Sequence, residues 1–345
     1  MTTISDVAEL AGVGVGTVSR VINGSHQVSD AARKRVMNAI ERLGYKPTRT
    51  GGANRKRHGL VGVVLPYFDQ PSFYQRVRGI AHVLQDYDLE IVLYTVDSPD
   101  RARLRLASLP NDQLDGLIVI SLPISEEVGN RMARARCPVV LVDSEHANLP
   151  SIVIDDRLGG QVATEHLVQL GHERVAFLGS PARTPFGFTA SPRREQGYLD
   201  VLNRAGLEAP PEYRKLGTHI RSVAGQFAAE LLSLPQPPTG VVVASDLQAL
   251  GVIEAARSVG IAIPEHLSVI GFDDIDAAAD SALTTVRQPL ESSGERGAEI
   301  IATALANSTK PTPIVETLPL ELVVRATTGP YLSVAKTRKK RAPVR

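Results

Sequence analysis

Residues 59–288 alternate between short apolar runs and longer segments with helical periodicity. The apolar runs are LVGVVLP, EIVLYTV, GLIVIS and PVVLVD in one half, and RVAFLG, GVVVAS and LSVIGFDD in the other. Helices are expected between them, ending near residue 87 and over residues 101–109, 126–135, 159–170, 193–205 and 249–259. Strands that are apolar on both sides belong in parallel sheets with helices on both faces. The sequence therefore predicts an α/β core of two doubly wound parallel-sheet lobes, with ligands at the carboxyl ends of the strands.

The first 47 residues have a different pattern, which predicts three short helices. In residues 4–23, ISDVAELAGVGVGTVSRVIN, two apolar stripes at helical spacing flank a turn at Gly12, Val13 and Gly14. Thr3 and the carboxylate three residues later resemble a capping box, and Ser29 is a favourable N-cap for a third helix that ends before Gly44. Two helices about a tight turn are typical of a helix-turn-helix, whose second helix enters the DNA major groove.

A second motif in the same stretch has another interpretation. Gly12, Gly14 and Gly16 form G-x-G-x-G, which also occurs in dinucleotide-binding loops. Those loops follow a strand, because the turn must direct its N–H groups and a helix N-terminus at a pyrophosphate. An amphipathic helix precedes these glycines, so we discard that interpretation.

Charge is distributed unevenly along the 345 residues. Residues 1–58 contain ten Lys or Arg and four Asp or Glu, and residues 331–345 contain six and none, which leaves 22 basic and 33 acidic groups between them. A basic head before an acidic body suits a polyanionic partner at one end only. The single cysteine, Cys137, excludes an internal disulfide framework and offers no metal cluster.

These features together resemble a known family. The strings DVAELAGV, TVSRVING and VSDAARKRVMNAIERLGYKP are similar to the N-terminal block of the lactose-repressor (LacI/GalR) family of bacterial transcription regulators. The blocks PYFDQPSF, LGHERVAFLG, RREQGY, ASDLQALG, SVIGFDD and LTTVRQPL follow in the family's order, and the similarity extends to about residue 330. The resemblance implies a helix-turn-helix head, a hinge, and a core like that of periplasmic binding proteins.

The resemblance implies which residues of the head contact DNA. Val15, Gly16 and Arg20 take the base-contacting places, and the arginine can donate two hydrogen bonds to guanine, worth roughly 1–3 kcal/mol of discrimination. Direct readout is sparse, because Gly16 has no side chain and Gly14 replaces the usual serine. The operator sequence stays open. The expected DNA-contacting residues are Thr3, Val15, Gly16, Thr17, Ser19, Arg20, Asn23, His26, Tyr45, Arg49, Asn54 and Arg55.

The hinge departs from the family pattern. Where relatives have a short helix with Ala-Arg-x-Leu, whose leucines wedge into the minor groove, this chain has Gly51, Gly52, Ala53 and Asn54. Adjacent glycines each cost about 1 kcal/mol in a helix interior. We expect the hinge to grip phosphates or a narrow minor groove and to bend DNA weakly. The alternative is a flexible linker.

The resemblance also implies an effector site between the lobes. By position, Arg194 holds a hydroxyl or carboxylate of the effector, Asp273 accepts hydrogen bonds from hydroxyl or N–H groups, and Phe73 stacks on the ligand. The full expected set is Ser72, Phe73, Ser121, Arg194, Asp246, Asp273 and Gln288. Structural interpretations remain open: Asp246 can cap a helix, Gln288 can be a crossover contact, and Phe73 can be core.

The effector class follows from the same resemblance, with one reservation. A sugar or sugar derivative is the first choice, and a nucleobase-like or other small polar effector is the second. Only 4% of residues are aromatic and tryptophan is absent, and His219 and Ile220 stand where relatives often have a second aromatic platform. Phe186 and Phe188, in the loop PARTPFGFTASP, can take over the stacking.

The expected organisation follows from these blocks. Residues 1–47 form the DNA-binding domain and 48–58 the hinge. Residues 59–330 form the effector-binding core, with lobe 1 at about 59–156 and 289–319 and lobe 2 at about 157–288 and 320–330. Helices at residues 73–87 and 290–305 are expected to form a homodimer surface, with a higher oligomer also open, because a twofold operator needs two heads. The basic residues 331–345 are expected to be a disordered tail, solubilising or adding nonspecific DNA affinity.

The sequence lacks the motifs that other classes of function require. There is no H-E-x-x-H, P-loop or G-x-S-x-G motif, and the eight histidines are scattered, so we expect no enzyme, cofactor or metal. A solute-binding protein without DNA regulation would share the core but needs an export signal, which we do not find. With no apolar run of membrane-spanning length, we expect a cytoplasmic, nucleoid-associated regulator that binds double-stranded operator DNA and no membrane.

Overall fold

The computed structural model of the chain describes residues 3–22, 28–43, 45, 58–67, 70–110 and 113–331. The chain divides into two compact units, Met1–Lys56 and Arg57–Arg345. The first unit is the head and the second is the core.

The head contains the three predicted helices, α1 (Ile4–Ala11), α2 (Val15–Ile22) and α3 (Asp30–Leu43). At the start of α1, Thr3 and Asp6 form the expected capping box, in which each side chain accepts from the other residue's backbone N–H. Gly12 ends α1 with a left-handed φ of 61°. Helices this short are marginal alone, so their stability comes from a shared apolar cluster. That cluster consists of Val7, Ala8, Ala11, Val18, Val21, Val36, Ala39 and Tyr45.

The core contains two six-stranded sheets. The first has the order β11-β5-β4-β3-β1-β2, and its strands run parallel. The bounds are β1 (Leu60–Pro66), β2 (Glu90–Val96), β3 (Gly116–Ile120), β4 (Val139–Val142), β5 (Ser151–Val153) and β11 (Val315–Thr317). The second has the order β12-β10-β9-β8-β6-β7, with β12 antiparallel to β10. Its strands are β6 (Val175–Gly179), β7 (Arg214–Leu216), β8 (Gly240–Val243), β9 (Ser268–Asp273), β10 (Thr284–Arg287) and β12 (Glu321–Val323).

Helices cover both sheets and complete two lobes. The first lobe has α4 (Pro71–Asp86), α5 (Pro99–Ser108), α6 (Glu126–Arg134) and α12 (Leu290–Asn307). The second has α7 (Asp156–Gln169), α8 (Ala190–Ala205), a 3₁₀ turn (Pro211–Tyr213), α9 (Arg221–Leu232), α10 (Asp246–Ser258) and α11 (Asp276–Asp280). Apolar clusters lie on both faces of each sheet, as strands without a solvated face require.

The chain crosses between the lobes three times. It leaves the first sheet after β5 to enter α7, returns after β10 into α12, and crosses again between β11 and β12. The fold class predicted from the sequence is confirmed: a helix-turn-helix head and two doubly wound, mostly parallel sheets. The pattern did not identify the helices α9 and α11, the 3₁₀ turn, or the strands β5, β7 and β10. These three strands have only three or four residues, too few to show a period.

The described residues contain neither a helix suited to cross a membrane nor a cluster of metal ligands. None of the helices there combines the length and apolar character needed to cross a lipid bilayer. No three His, Cys, Asp or Glu side chains in those residues lie close enough to share a metal ion.

Candidate functional site

Several core strands end in residues with left-handed backbone angles. In the first sheet, Tyr67, Ser121 and Asp143 directly follow β1, β3 and β4, with φ values of 45°, 54° and 58°. In the second sheet, Asp273 ends β9 with φ 118°, and Asp274 follows with φ 58°. Such angles cost non-glycine residues roughly 1–3 kcal/mol each and cluster at functional sites. The carboxyl ends of the strands are therefore where a binding site is expected.

Arg194, on α8, is fixed by groups of the second lobe. Its Nε donates to Asp156 Oδ1 at 2.9 Å, its Nη2 lies 2.8 Å from the same oxygen, and its Nη1 donates to the Ala244 carbonyl at 2.6 Å. The guanidinium carbon lies 3.5 Å from the centre of the Phe272 ring, a cation–π contact. Arg194 is 7% exposed. An arginine held this way is a rigid, preorganised donor.

Asp273 lies beside Arg194, with 3.7 Å between its Oδ1 and Nη1 of the arginine. Its Oδ1 also accepts from Gln288 Nε2 at 2.5 Å. Burial raises the pKa of Asp273 to about 6, although the Arg194 charge opposes the rise. Burial likewise raises the pKa of Asp156, again against the charge of Arg194. A ligand that donates hydrogen bonds to these carboxylates would therefore stabilise their charged forms.

The polar contacts continue into the first lobe. Arg76, on α4, donates from Nη2 to Gln288 Oε1 at 2.9 Å, and the same nitrogen lies 3.3 Å from Asp143 Oδ2. Ser121 donates its hydroxyl to that Asp143 oxygen at 2.5 Å. Gln288 is in the crossover from β10 to α12, so it links the two lobes. We call Arg76, Ser121, Asp143, Asp156, Arg194, Asp273 and Gln288 the interlobe cluster.

Asp246 does not join the interlobe cluster. It is fully buried at the start of α10, where Oδ2 accepts from the Ile275 backbone N–H at 3.0 Å and Oδ1 from the Thr285 hydroxyl at 2.6 Å. Burial raises its pKa well above the ordinary range, and the charge of Asp273 adds to the rise. Its oxygens are engaged in holding the loop after β9.

Ser72 and Phe73 lie in the first turn of α4. The Ser72 carbonyl accepts from Nη1 of Arg76 at 3.3 Å, so this residue supports the cluster through its backbone. Phe73 is half-buried and packs against the first-lobe apolar cluster that contains Leu65 and Ile80. In this structure Phe73 packs as a core side chain does.

The loop before α8 brings aromatic side chains of the second lobe onto the first. Phe186 is 7% exposed and lies in an apolar cluster with first-lobe residues such as Leu122 and Leu149. Its ring makes an edge contact with Tyr67, with centroids 5.1 Å apart, and stacks on Phe188 at 5.3 Å. These rings therefore form an apolar contact between the two lobes.

Three members of the interlobe cluster were not among the residues chosen from the sequence. Asp143 had a usable signal, because it directly follows the apolar run PVVLV. Asp156 follows Ile154 and Asp155 at a helix start, where a carboxylate is equally explained by capping. Arg76 is in the middle of an amphipathic helix, and no sequence pattern distinguishes it from a solvated charge.

The head exposes the start of α2, as a recognition helix requires. Val15 is 44% exposed, Gly16 and Arg20 are exposed, and Thr17 and Ser19 are half-buried. Among the described residues, nothing lies within 4 Å of a Cβ built on Gly14 or Gly16, so packing against that part of the chain requires neither glycine. This end of the helix presents mainly backbone and small side chains to a partner.

The other residues expected to contact DNA are placed as follows. Thr3 is exposed and caps α1, whereas Tyr45 is 7% exposed and packs in the head's apolar cluster. The described residues do not include Asn23, His26, Arg49, Asn54 and Arg55, nor the Gly51-Gly52 hinge, the Gly44 cap and residues 332–345 of the predicted tail. The first residue of that tail, Tyr331, is half-buried, and its backbone N–H donates to the Leu170 carbonyl.

Comparison with known families now identifies the chain. Residues 3–48 match the family model for bacterial regulatory proteins of the lacI family, and residues 164–328 match that for a periplasmic binding protein-like domain. The chain belongs to the lacI family. The prediction of a transcriptional regulator with a DNA-binding head and an effector-binding core is thereby confirmed.

Individual lacI-family proteins match over nearly the whole chain. Catabolite control protein A of Priestia megaterium is 31% identical over 332 residues, covering 94% of this chain and 99% of the relative. The solved transcriptional regulator CelR–cellobiose complex is 31% identical, with a TM-score of 0.67, and the match covers 95% of this chain and 100% of that one. The lac repressor dimer bound to operator and the anti-inducer ONPF has a TM-score of 0.74 at 26% identity, covering 95% and 99%. These relatives are regulators rather than enzymes.

Proposed function

We propose that this lacI-family protein is a repressor whose affinity for operator DNA is set by a sugar bound at the interlobe cluster. The observation that carries the proposal is the cluster itself, in which a buried arginine from each lobe, the half-buried Asp143 and the buried Asp156 and Asp273 converge on strand ends with strained backbones. A group bound there touches both lobes. It can therefore favour one arrangement of the lobes over another, as an allosteric ligand must.

The chemistry of the cluster favours a sugar. A sugar hydroxyl accepts one hydrogen bond and donates another, and neighbouring Arg and Asp side chains supply both partners. Arg194 with Asp273 is such a pair, 3.7 Å apart. The CelR structure, a neighbour with cellobiose bound, supports the same class.

A nucleoside is the second candidate. The stacked pair of Phe186 and Phe188 is the observation that favours it, because a nucleobase binds by its π-face as well as its edges. Phe186 is already buried against the first lobe, so only the half-buried Phe188 could offer a free ring face. We therefore place a nucleoside after a sugar.

Coupling to DNA is proposed to be a linkage effect. If the ligand binds one lobe arrangement better, and that arrangement differs in operator affinity, the two affinities change each other by the same factor, typically 5–150-fold or about 1–3 kcal/mol. Since operators are chromosomal, we place the protein at the nucleoid in the cytoplasm.

We further propose that the functional unit is a homodimer. The first lobe exposes apolar side chains, among them Tyr74 on α4 and Leu93 on β2, which are 50% and 39% exposed. Burying such side chains between two copies of the chain would favour association. A dimer supplies the two heads that a twofold operator needs. We expect the chain to use no cofactor and to catalyse no reaction, since the interlobe cluster is explained as a binding site.

A two-stage experiment tests the proposal. The purified chain is first screened by thermal shift against neutral sugars, sugar acids and nucleosides, because a ligand at about 100 times its Kd adds roughly 2.7 kcal/mol of stability. Any ligand found is then titrated into a complex of the chain with its own promoter DNA, followed by fluorescence anisotropy. We expect operator affinity to change with a sugar. Specific DNA binding that no compound alters would contradict the proposal.

A further inference from the structure

Each lobe contains two helices that cross with their backbones in close contact, and a glycine of each helix lies against a carbonyl of the other. In the second lobe, a Cβ on Gly160 of α7 would lie 2.0 Å from the Arg194 carbonyl oxygen, and one on Gly197 of α8 would lie 2.1 Å from that of Arg157. In the first lobe, a Cβ on Gly294 of α12 would lie 2.0 Å from the Arg76 carbonyl oxygen. A Cβ on Gly79 of α4 would likewise lie 2.1 Å from the Glu291 carbonyl oxygen, so both helices of each pair have the same close approach.

The repeated crossing makes Arg76 the counterpart of Arg194. Each arginine lies three residues before the glycine of its own helix, in Arg76-Val-Arg-Gly and Arg194-Glu-Gln-Gly. Each belongs to the helix that follows the first long strand of its lobe, β1 or β6. Backbones that cross this closely fix where the first turns of α4 and α8 project. The two guanidinium groups therefore enter the interlobe cluster from opposite lobes.

The two arginines differ in how fully they are partnered. All three nitrogens of Arg194 are engaged, by Asp156 and the Ala244 carbonyl, and its face stacks on Phe272. Arg76 is more deeply buried, at 3% exposed. Its Nη2 donates to Gln288 Oε1 at 2.9 Å, but its contacts to the Ser72 carbonyl and to Asp143 are both longer, at 3.3 Å. Among the described residues, no group accepts from its Nε.

An unpaired buried donor calls for an explanation. Burying an N–H of a charged group without an acceptor costs more than burying a neutral one, and natural sites rarely leave it so. The Nη2 atom of the same guanidinium lies 3.3 Å from Asp143, which accepts from the Ser121 hydroxyl, and these two residues stand at the carboxyl ends of β4 and β3. That edge is where ligands of open parallel sheets bind.

We infer that Arg76 is an effector-contacting residue of the first lobe, which with Asp143 forms a second Arg–Asp pair for ligand hydroxyls, opposite Arg194 and Asp273. This inference rests on the function proposed above. It adds the ligand's chemistry: an uncharged polyol with hydroxyl groups directed at both lobes. One hydroxyl accepts from Arg76 and donates to Asp143.

The charges of the cluster favour an uncharged ligand. Arg76 and Arg194 face three carboxylates, Asp143, Asp156 and Asp273. Burial raises the pKa of Asp273 to about 6, so it is still mostly ionised at neutral pH. The cluster therefore has more acidic than basic side chains, and a phosphate or carboxylate would bring a further anion beside them. Sugar acids and sugar phosphates are expected to bind more weakly than the parent sugar.

Arg78 provides a matched control two residues away. It is on the same helix and also links the lobes, by pairing with Asp276 of α11, and it pairs with Glu291 of α12 within its own lobe. Its side chain is 44% exposed, and its partners lie outside the interlobe cluster. If Arg76 only holds the lobes together, R76K and R78K should have similar consequences for binding.

The test compares R76K and R78K with the wild-type full chain. Lysine keeps the charge beside Asp143, so R76K should fold, which the melting temperature checks. The probes are D-ribose, D-glucose and cellobiose, the deoxy analogues of whichever stabilises the wild type, and its sugar acid and sugar phosphate. Calorimetric titration measures Kd for each.

We expect R76K to raise the Kd of the stabilising sugar by at least about tenfold, which corresponds to the loss of one hydrogen bond to a charged group. For R78K, we expect a Kd within about twofold of wild type. We also expect one deoxy analogue to bind R76K with the same Kd as the parent sugar, because the hydroxyl it lacks is the one that Arg76 contacts. If Arg76 had only a structural role, R76K would raise the Kd of the parent sugar and of every analogue by the same factor. That result, or wild-type affinity in R76K, overturns the inference.

Two other outcomes also overturn it. One is a sugar phosphate or sugar acid that binds more tightly than the parent sugar, and the other is a wild-type chain that none of the three sugars stabilises. Failure here is distinguishable from failure of the proposed regulator. Operator binding that responds to a nucleoside would leave a ligand-controlled repressor in place without the Arg76 contact.

Discussion

The head and the core use polar groups in opposite ways. In the head, Arg20 and Val15 stand exposed on α2, and the neighbouring Gly16 has open space around it. In the core, Arg76, Arg194 and Asp273 are 3%, 7% and 7% exposed. An exposed surface can approach DNA by charge and a few contacts, whereas a buried cluster must match every group that it encloses. The head should therefore tolerate substitutions that the core does not.

The largest effect is expected at Asp273. The Asp273→Ala variant removes a buried acceptor beside Arg194, and losing one or two charge-assisted hydrogen bonds should weaken effector binding by roughly 10²–10⁴-fold. Binding to promoter DNA without effector should stay within about threefold, measured by fluorescence anisotropy. Equal damage to both activities in a folded variant would contradict the division between head and core.

Arg20 is the matching position in the head. The Arg20→Ala variant should lose roughly 1–3 kcal/mol of specific operator binding per head, because a two-pronged donor to a base edge disappears. Effector affinity should be unchanged. Arg42, exposed near the end of α3, is the control, and Arg42→Ala should alter operator affinity much less. An Arg20 variant that binds its promoter as wild type does would remove Arg20 from the recognition surface.

Glycine substitutions should separate the two regions by stability. A Cβ on Gly160 would lie 2.0 Å from the Arg194 carbonyl oxygen, so Gly160→Ala should destabilise the core by roughly 1–3 kcal/mol. In contrast, Gly16→Ala should stabilise the head by up to about 1 kcal/mol, because alanine is the better helix former and has space. Hydrogen exchange of head and core peptides measures both. A Gly160 variant as stable as wild type would show that the crossing can relax.

Asp273 also gives the stability of the core a pH dependence. Because its folded pKa is raised to about 6, the carboxyl's contribution to the free energy of unfolding is full below about pH 4 and lost as pH rises through about 6. The stability of Asp273→Asn relative to wild type should therefore rise between about pH 4 and 6. Denaturant unfolding across that range tests it, and a constant difference would mean that the carboxyl is not held in an environment that favours its neutral form.

The sequence predicted most of what periodicity can encode. Runs such as LVGVVLP and RVAFLG became β1 and β6 because both of their faces are buried. Three-residue strands such as β5 and β7 have no period to detect. Within the site, the expected Arg194, Asp273, Ser121 and Gln288 come together. Arg76 was missed because its role depends on a helix crossing 218 residues along the chain, at Gly294, which local patterns do not show.

Asp246 shows the complementary difficulty. The family resemblance made Asp246 a candidate through its block ASDLQALG, which directly follows a strand of the second sheet. In the structure its two oxygens are engaged by Ile275 and Thr285, behind β9. Position after a strand therefore locates a residue at the right edge, but the direction of the side chain depends on neighbours that only the fold supplies.

The most direct test of the whole account measures operator affinity with and without saturating effector, in wild type and in Asp273→Asn. We predict a 5–150-fold change in wild type, the usual range of allosteric coupling, and none in the variant at the same ligand concentration. Wild-type operator affinity that stays the same when the core is saturated with ligand would contradict the claim that the core controls the head.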